Sequence, residues 1–213
     1  MAKDEKNKPP GASGATGGEL ASVLWGVARR FQLTALQKRH SHVWLLSLFA
    51  MINGFISIGL MAVAALATGA PFVFPSLGPT ASLLFYTPTH PAASPRNTLS
   101  GHLIGILAGY LALLLFGLAN SGPALAEGVH WTNVAAAALS LGLSSGAMVW
   151  FNVPHPPAGA TTLIVSLGIL HEPWQLAVLM LAVFLLVAQG FVINRLAGID
   201  YPLWRAPSET RRG

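Results

Sequence analysis

Apolar residues gather in this chain into six blocks bounded by Gly, Pro, His or charged residues. They cover residues 43–69, 72–87, 99–119, 132–151, 153–170 and 174–194. A helix needs about 20 apolar residues to cross the roughly 30 Å hydrocarbon core of a bilayer. Blocks one, three, four and six meet that length. Block two is interrupted by Pro75, Gly78 and Pro79, and block five opens on Pro154, Pro156 and Pro157. From Trp44 to Asn194 the only formal charges are Arg96, Glu127 and Glu172, each among Gly, Pro, His or Asn. Uncharged apolar blocks in such succession predict an all-α, multi-pass membrane bundle.

The flanks differ in kind. Residues 1–18 are polar and rich in Gly and Pro, which predicts a disordered tail. Over 19–42 the apolar positions Leu20, Val23, Leu24, Val27, Phe31 and Leu33 follow helical spacing, while Arg29 and Arg30 fall elsewhere. That pattern suits an amphipathic helix on the membrane surface, with a loose juxtamembrane linker as the alternative. Residues 196–213 read as a cytoplasmic tail. The first residues lack an apolar core with a cleavage site, so no cleaved signal peptide is expected.

The two halves repeat. Pro75-Ser76-Leu77-Gly78-Pro79-Thr80 matches Pro156-Pro157-Ala158-Gly159-Ala160-Thr161 in the pattern Pro-x-x-Gly-x-Thr, each followed by an apolar stretch. The chain thus divides into repeat 1 (43–119) and repeat 2 (132–195). Short segments broken by Gly and Pro, in corresponding positions of two halves, point to a transporter binding site. Charge then sets topology. If both broken blocks cross, all 12 Lys and Arg fall on one side together with both termini, as the positive-inside rule requires. If both re-enter, four spans remain and Arg96 lies on the wrong side. Six crossings follow, as two inverted three-helix repeats with half-helices in the second and fifth segments. The setting is a membrane of the bacterial inner (plasma) type, with cytoplasmic termini.

Proline constrains where the half-helices start. Backbone should be extended over 153–156 with helix from Pro157–Gly159, and extended to Leu77 with helix from Pro79. In the inverted arrangement both half-helices begin near the midplane. Their first amides have no intrahelical acceptor, and each N-terminus carries about half a positive charge. The expected result is an anion site made of backbone N–H groups and hydroxyls. Its candidate residues are Ser76, Gly78, Pro79, Thr80, His155, Pro156, Pro157, Gly159, Thr161 and Thr162. No Asp or Glu lies inside a block, which disfavours a cation substrate, since sodium- or proton-coupled cation carriers place carboxylates in their spans, and favours an anion or a small neutral solute. His102 and His155 are candidates for a proton relay. The structural alternative makes His102 a helix tie and His155 a tether for the arm. His40, His42, His90, His130 and His171 sit at block edges.

Composition trims the list of functions. Charged residues make up 9% of the chain and hydrophobic ones 53%, with a mean hydropathy of +0.59, far from the roughly 25% charge of soluble domains. The net charge of +5 forms no basic patch interleaved with aromatics, so nucleic acid is not an expected partner. There is no cysteine and no His-x3-His pair, and neither metal nor cofactor is predicted. Gly101, Gly105 and Gly109, and again Gly142 and Gly146, have the spacing of close helix contacts. Asn53, Gly54 and Ser57 could border the cavity or bond across helices. Trp25, Trp44, Trp131, Trp174 and Trp204 suit an aromatic belt. Gly142-Leu143-Ser144-Ser145-Gly146 matches the Gly-x-Ser-x-Gly nucleophile pattern but lacks the strand and sharp turn that pattern needs. An intramembrane serine hydrolase using Ser144 with His102 or His155, or a scaffold subunit without a translocated substrate, is therefore the rival to a non-enzymatic transporter. The expected partners are a small inorganic anion and membrane lipid, with room for a homo-oligomer.

The ordered set His155-Pro156-Pro157-Ala158-Gly159-Ala160-Thr161, Pro75-Ser76-Leu77-Gly78-Pro79-Thr80-Ala81 and Pro95-Arg96-Asn97 with Gly101-His102 resembles the HPP family of integral membrane proteins over residues 43–195. Plant chloroplast members of that family are described as nitrite transporters, so the resemblance implies nitrite or a similar small anion. It also implies four spans, against the six counted above. Gly78-Pro79 departs from the family pattern through its second proline. Some relatives carry a C-terminal regulatory domain, which is not expected here.

Overall fold

The computed structural model describes Leu33 and residues 42–206. The expected tail over 1–18, the expected surface helix over 19–42 apart from Leu33 and His42, and residues 207–213 lie outside the described residues. The regular elements described are all helical. They are α1 (His42–Thr68), α2 (Leu77–Tyr86), a 3-10 turn (Pro91–Ala93), α3 (Pro95–Leu115), α4 (Ala124–Glu127), α5 (Trp131–Trp150), α6 (Ala158–Ser166) and α7 (Pro173–Leu196). α1, α3, α5 and α7 have 27, 21, 20 and 24 residues, enough to span a bilayer at about 1.5 Å per residue. α2 and α6 have 10 and 9, or roughly 15 Å, half that thickness. The order long, short, long therefore occurs twice, with the small α4 between.

Local chemistry sets the boundaries. α3 starts ahead of its apolar block because Pro95 fills the first helical position and the Ser94 hydroxyl accepts the Asn97 amide. α2 starts at Leu77, two residues before the expected Pro79. Proline fits the third position because an amide there would have no intrahelical acceptor. α6 starts at Ala158, inside the expected window. It stops through Gly168, at φ +74°, whose amide donates to the Val165 carbonyl while the Ile169 amide reaches Ile164. Only a residue that tolerates positive φ closes that motif without strain.

α3 is the centre of the bundle. Half of its apolar window is buried, against 11% for α1, and α5, α6 and α7 pack around it while α1 leans on α2. Glycine makes the α3–α6 contact possible. A Cβ on Gly101 would lie 2.6 Å from the His155 Cβ, one on Gly105 2.8 Å from the Ala158 carbonyl oxygen, and one on Gly109 2.8 Å from Val165 Cβ. These contacts rise in the same order along both elements, so α6 runs parallel to α3.

One end of the bundle is tied by polar bonds. Arg96 donates to the Asn152 and Phe151 carbonyls at 2.8 and 3.2 Å, closing the C-terminus of α5. The Arg96 amide donates to the Trp204 carbonyl, and Tyr201 Oη donates to the Ala93 carbonyl at 2.6 Å. Burial pushes the Tyr201 phenol up, so it remains a donor. At the other end the Ala124 amide donates to the Leu167 carbonyl. Residues 152–167 therefore run from one end of α3 to the other. α2 runs the opposite way: Ser76 lies beside Thr161, Leu84 meets Asn194 late in α7, and the 3-10 turn then enters α3.

Several expectations are corrected. Gly142 and Gly146 have nothing within 4 Å of an added Cβ and face outward, so their spacing serves no contact among the described residues. Asn53 donates to the Phe49 carbonyl of its own helix. Ser57 is buried. Arg96 is held by backbone carbonyls. Trp44 and Trp204 at one end, and Trp131 and Trp174 at the other, are exposed, as a belt requires.

Gly105→Leu should lower the thermal midpoint of the detergent-purified protein, since overpacking at such a contact costs about 1–3 kcal/mol. Gly142→Ala, with open space around it, should leave the midpoint unchanged or raise it, since Ala is favoured over Gly in a helix by up to about 1 kcal/mol. Equal losses in both would contradict the assigned glycine face.

Candidate functional site

Extended arms deliver the two half-helices to the interior, and a polar cluster forms where their first turns pass. Ser76, the N-cap of α2, lies with its Oγ 2.6 Å from the Oγ1 of Thr161 in the first turn of α6. One turn on, Thr80 Oγ1 is 3.0 Å from His102 Nε2 and 3.4 Å from His155 Nε2. The two imidazoles meet at 3.2 Å between their Nε2 atoms, with ring centroids 4.9 Å apart. His102 Nδ1 is 2.7 Å from Thr161 Oγ1, and His155 Nδ1 is 2.7 Å from the Ala92 carbonyl oxygen. All five side chains are at most 1% exposed.

Each bond has a direction. No Asp, Glu, Lys or Arg occurs among the buried described residues, so nothing balances an imidazolium, and the bonds are counted with both rings neutral. A carbonyl can only accept, so His155 carries its proton on Nδ1 and its Nε2 accepts. His102 must then donate through Nε2–H, which leaves Nδ1 to accept from the Thr161 hydroxyl. Thr161 in turn accepts from Ser76. Thr80 donates to the Ser76 carbonyl at 2.8 Å and can accept from His102 Nε2–H, while its 3.4 Å approach to the unprotonated His155 Nε2 carries no hydrogen. The tautomers are assigned from this network. They leave one directed chain, Ser76 to Thr161 to His102 to His155 to the Ala92 carbonyl, with every link satisfied.

Of the residues expected at the site, Ser76, Thr80, His102, His155 and Thr161 come together. Thr162 instead bonds the Ala158 carbonyl and packs where Gly105 leaves room. Pro157 is the buried N-cap of α6, Pro156 is exposed and Gly159 faces Leu141 of α5. Gly78 and Pro79 lie exposed on the outer flank of α2. The backbone part of the expected anion site is also altered. The Ala158, Gly159 and Ala160 amides donate to the His155, Pro156 and Pro157 carbonyls, because the proline-rich arm turns tightly into the helix. In α2 the Leu77 and Thr80 amides are likewise taken and Pro79 has none. That leaves Gly78 as the first-turn amide of α2 without a backbone acceptor among the described residues.

The sequence reading missed the turn that orients His155. Pro91 and Pro95 frame it, His90 Nδ1 accepts the Ala92 amide, and the Ala92 carbonyl accepts from His155 Nδ1. The signal was the Pro-x-x-Ser-Pro spacing of Pro91 to Pro95 ahead of the basic residue. Asn97 was missed as well; its Nδ2 donates to the Pro154 carbonyl at 3.4 Å and tethers the arm. Ser144 lies within the helical α5 and donates to the Leu141 carbonyl, while both ring nitrogens of each histidine are engaged elsewhere.

Comparison with known proteins bears on this arrangement. A transmembrane protein of Dictyostelium discoideum is 28% identical over 135 residues, which is 61% of this chain and 44% of that protein. The chain thus spans less than half the length of the curated relative it matches. No solved structure matches. The family model described as HPP, transmembrane region, matches residues 37–202, taking in all four long apolar helices and both half-helices that build the cluster. The chain is a multi-pass membrane protein and belongs to the HPP transmembrane family.

Proposed function

We propose that the chain is a non-enzymatic membrane transporter or channel for a small inorganic anion, nitrite first, which passes between the starts of α2 and α6. The observation that carries this reading is the Ser76–Thr161 contact at 2.6 Å. Two half-helices begin side by side in an apolar interior and meet through hydroxyls and imidazoles alone. Such a meeting point offers donors without fixed negative charge, and each helix start adds a positive dipole end. The donors in this reading are the Ser76, Thr80 and Thr161 hydroxyls, the histidine pair and the Gly78 amide. Nitrite in particular comes from the resemblance of the motifs to the chloroplast transporters.

Six crossings in two inverted repeats belong to the same proposal. Residues 152–167 linking both ends of α3, α2 running against α6, and the bond from the Arg96 amide to the Trp204 carbonyl support it. Arg96 then shares a face with the C-terminal segment, on the cytoplasmic side of a bacterial inner membrane. Lipid covers the outward apolar residues, Phe55 and Leu66 of α1 among them, and a homo-oligomer would pair such faces.

Two experiments test this. Liposomes holding only the purified protein should show nitrite flux that falls at least about tenfold in Thr161→Val and in His155→Ala, the loss expected when a buried bond to a charged group is removed. Absence of flux with any small anion would remove the reading. Because the chain has no cysteine, single thiols report topology cleanly. Thr89→Cys and Leu203→Cys should be labelled from one face and Val129→Cys from the other. Labelling of Thr89→Cys from the Val129 side would mean that α2 does not cross.

A further inference from the structure

We propose that the Ser76–Thr161–His102–His155 chain takes up one proton with each anion, so that the two move together as a neutral load. This rests on the anion reading above and adds the coupling that reading leaves open.

The chain of bonds has one closed end and one open end. Beyond His155 stands the Ala92 carbonyl, which accepts a hydrogen bond but has no exchangeable proton to pass on. At the other end, Pro75 and Gly78 flank Ser76 and are exposed. With Ile58, Val73 and Phe74 they line a groove of about 380 Å³. In this proposal protons enter and leave at the Ser76 end, since the Ala92 carbonyl cannot pass one on, and the anion is placed beside the same hydroxyl.

The transfer balances atom for atom. A solvent proton forms an O–H bond to Ser76 Oγ, and the hydrogen that Ser76 held passes to Thr161 Oγ1. The hydrogen that Thr161 held passes to His102 Nδ1. The His102–His155 bond is unchanged, no heavy atom changes partner, and the added charge rests on the imidazole pair. Each hydroxyl has now reversed. Thr161 donates to Ser76, and Ser76 no longer donates inward, so its O–H is free for a ligand. Proton uptake thereby turns the buried Ser76 hydroxyl into an anion donor.

Electrostatics ties the two events together. The groups facing the pair are Ser76 and Thr80 from α2, Thr161 from α6 and the Ala92 carbonyl from the 3-10 turn. α5 contributes buried Ser140 and Ser144, each bonded within its own helix, and the buried positions of α7 hold no group that titrates. No buried carboxylate is available as a counter-charge. An imidazolium there needs a partner from outside, and a lone anion among the neutral groups needs a cation. Each is the remedy for the other.

The test uses proteoliposomes of the full chain with a pH dye inside, the membrane potential clamped by potassium and valinomycin, and nitrite as the probe; protein-free vesicles are subtracted. One proton should enter per nitrite, at a rate independent of the clamped potential. Nitrite entry without acidification, faster at inside-positive potential, would overturn the coupling and leave anion transport standing. Absence of protein-dependent flux would overturn both. His102→Gln can bond to Thr80 and Thr161 without titrating and should cut proton-coupled uptake by at least about tenfold, since the anion then loses its buried counter-charge. An unchanged proton-to-nitrite ratio in H102Q overturns the proposal. If H102Q does not purify as a folded protein, Ser76→Ala, which removes the entry hydroxyl, must show the same loss or the proposal fails.

Discussion

Where Gly101, Gly105 and Gly109 line α3, the arm and first turns of α6 come so near that a methyl group at Gly101 would overlap the Cβ of His155. Apolar lipid provides no hydrophobic drive between helices, so association depends on van der Waals contact and buried hydrogen bonds, both of which reward close approach. The glycine face brings His155 against His102 and Thr161 within 2.7 Å of the His102 ring. α2 then completes the cluster from the opposite direction. Pro75 and Pro154 hold the residues before them out of the helical region, so neither half-helix lengthens past the meeting point.

The cluster is polar but formally uncharged, and that combination defines what it can do. A buried carboxylate would favour a cation and repel an anion, whereas hydroxyls and imidazoles can act as donors or acceptors according to the proton count. The chain's charges are kept to the ends, where Arg96 closes α5 and meets the C-terminal segment. Among the described residues the interior thus holds no fixed charge.

Much of this was legible in the sequence. Block lengths gave the four long helices, and the Pro-x-x-Gly-x-Thr repeat located both half-helices and contained Ser76, Thr80 and Thr161, with His155 just ahead of its second copy. His102 was singled out because an ionisable residue inside an apolar block is costly without a partner. Other features were hidden for definite reasons. Glycine spacing is the same on α3 and α5, but only tertiary packing decides that the first touches a neighbour and the second faces outward. First-turn amides look free in sequence, yet the proline arm folds back and takes three of them. The Ala92 carbonyl could be read only through the Pro91–Pro95 spacing, because any residue has a carbonyl and only the turn aims it.

The central claim is that α2 and α6 begin beside one another inside the bundle, and a disulfide across that point tests it most directly. With no native cysteine to interfere, Ser76→Cys combined with Thr161→Cys should oxidise to an intrachain bridge in membranes, seen as a reductant-sensitive mass loss of two hydrogens. Two thiols that both react with an alkylating agent in the unfolded chain, yet never bridge in the membrane under oxidant, would contradict the account.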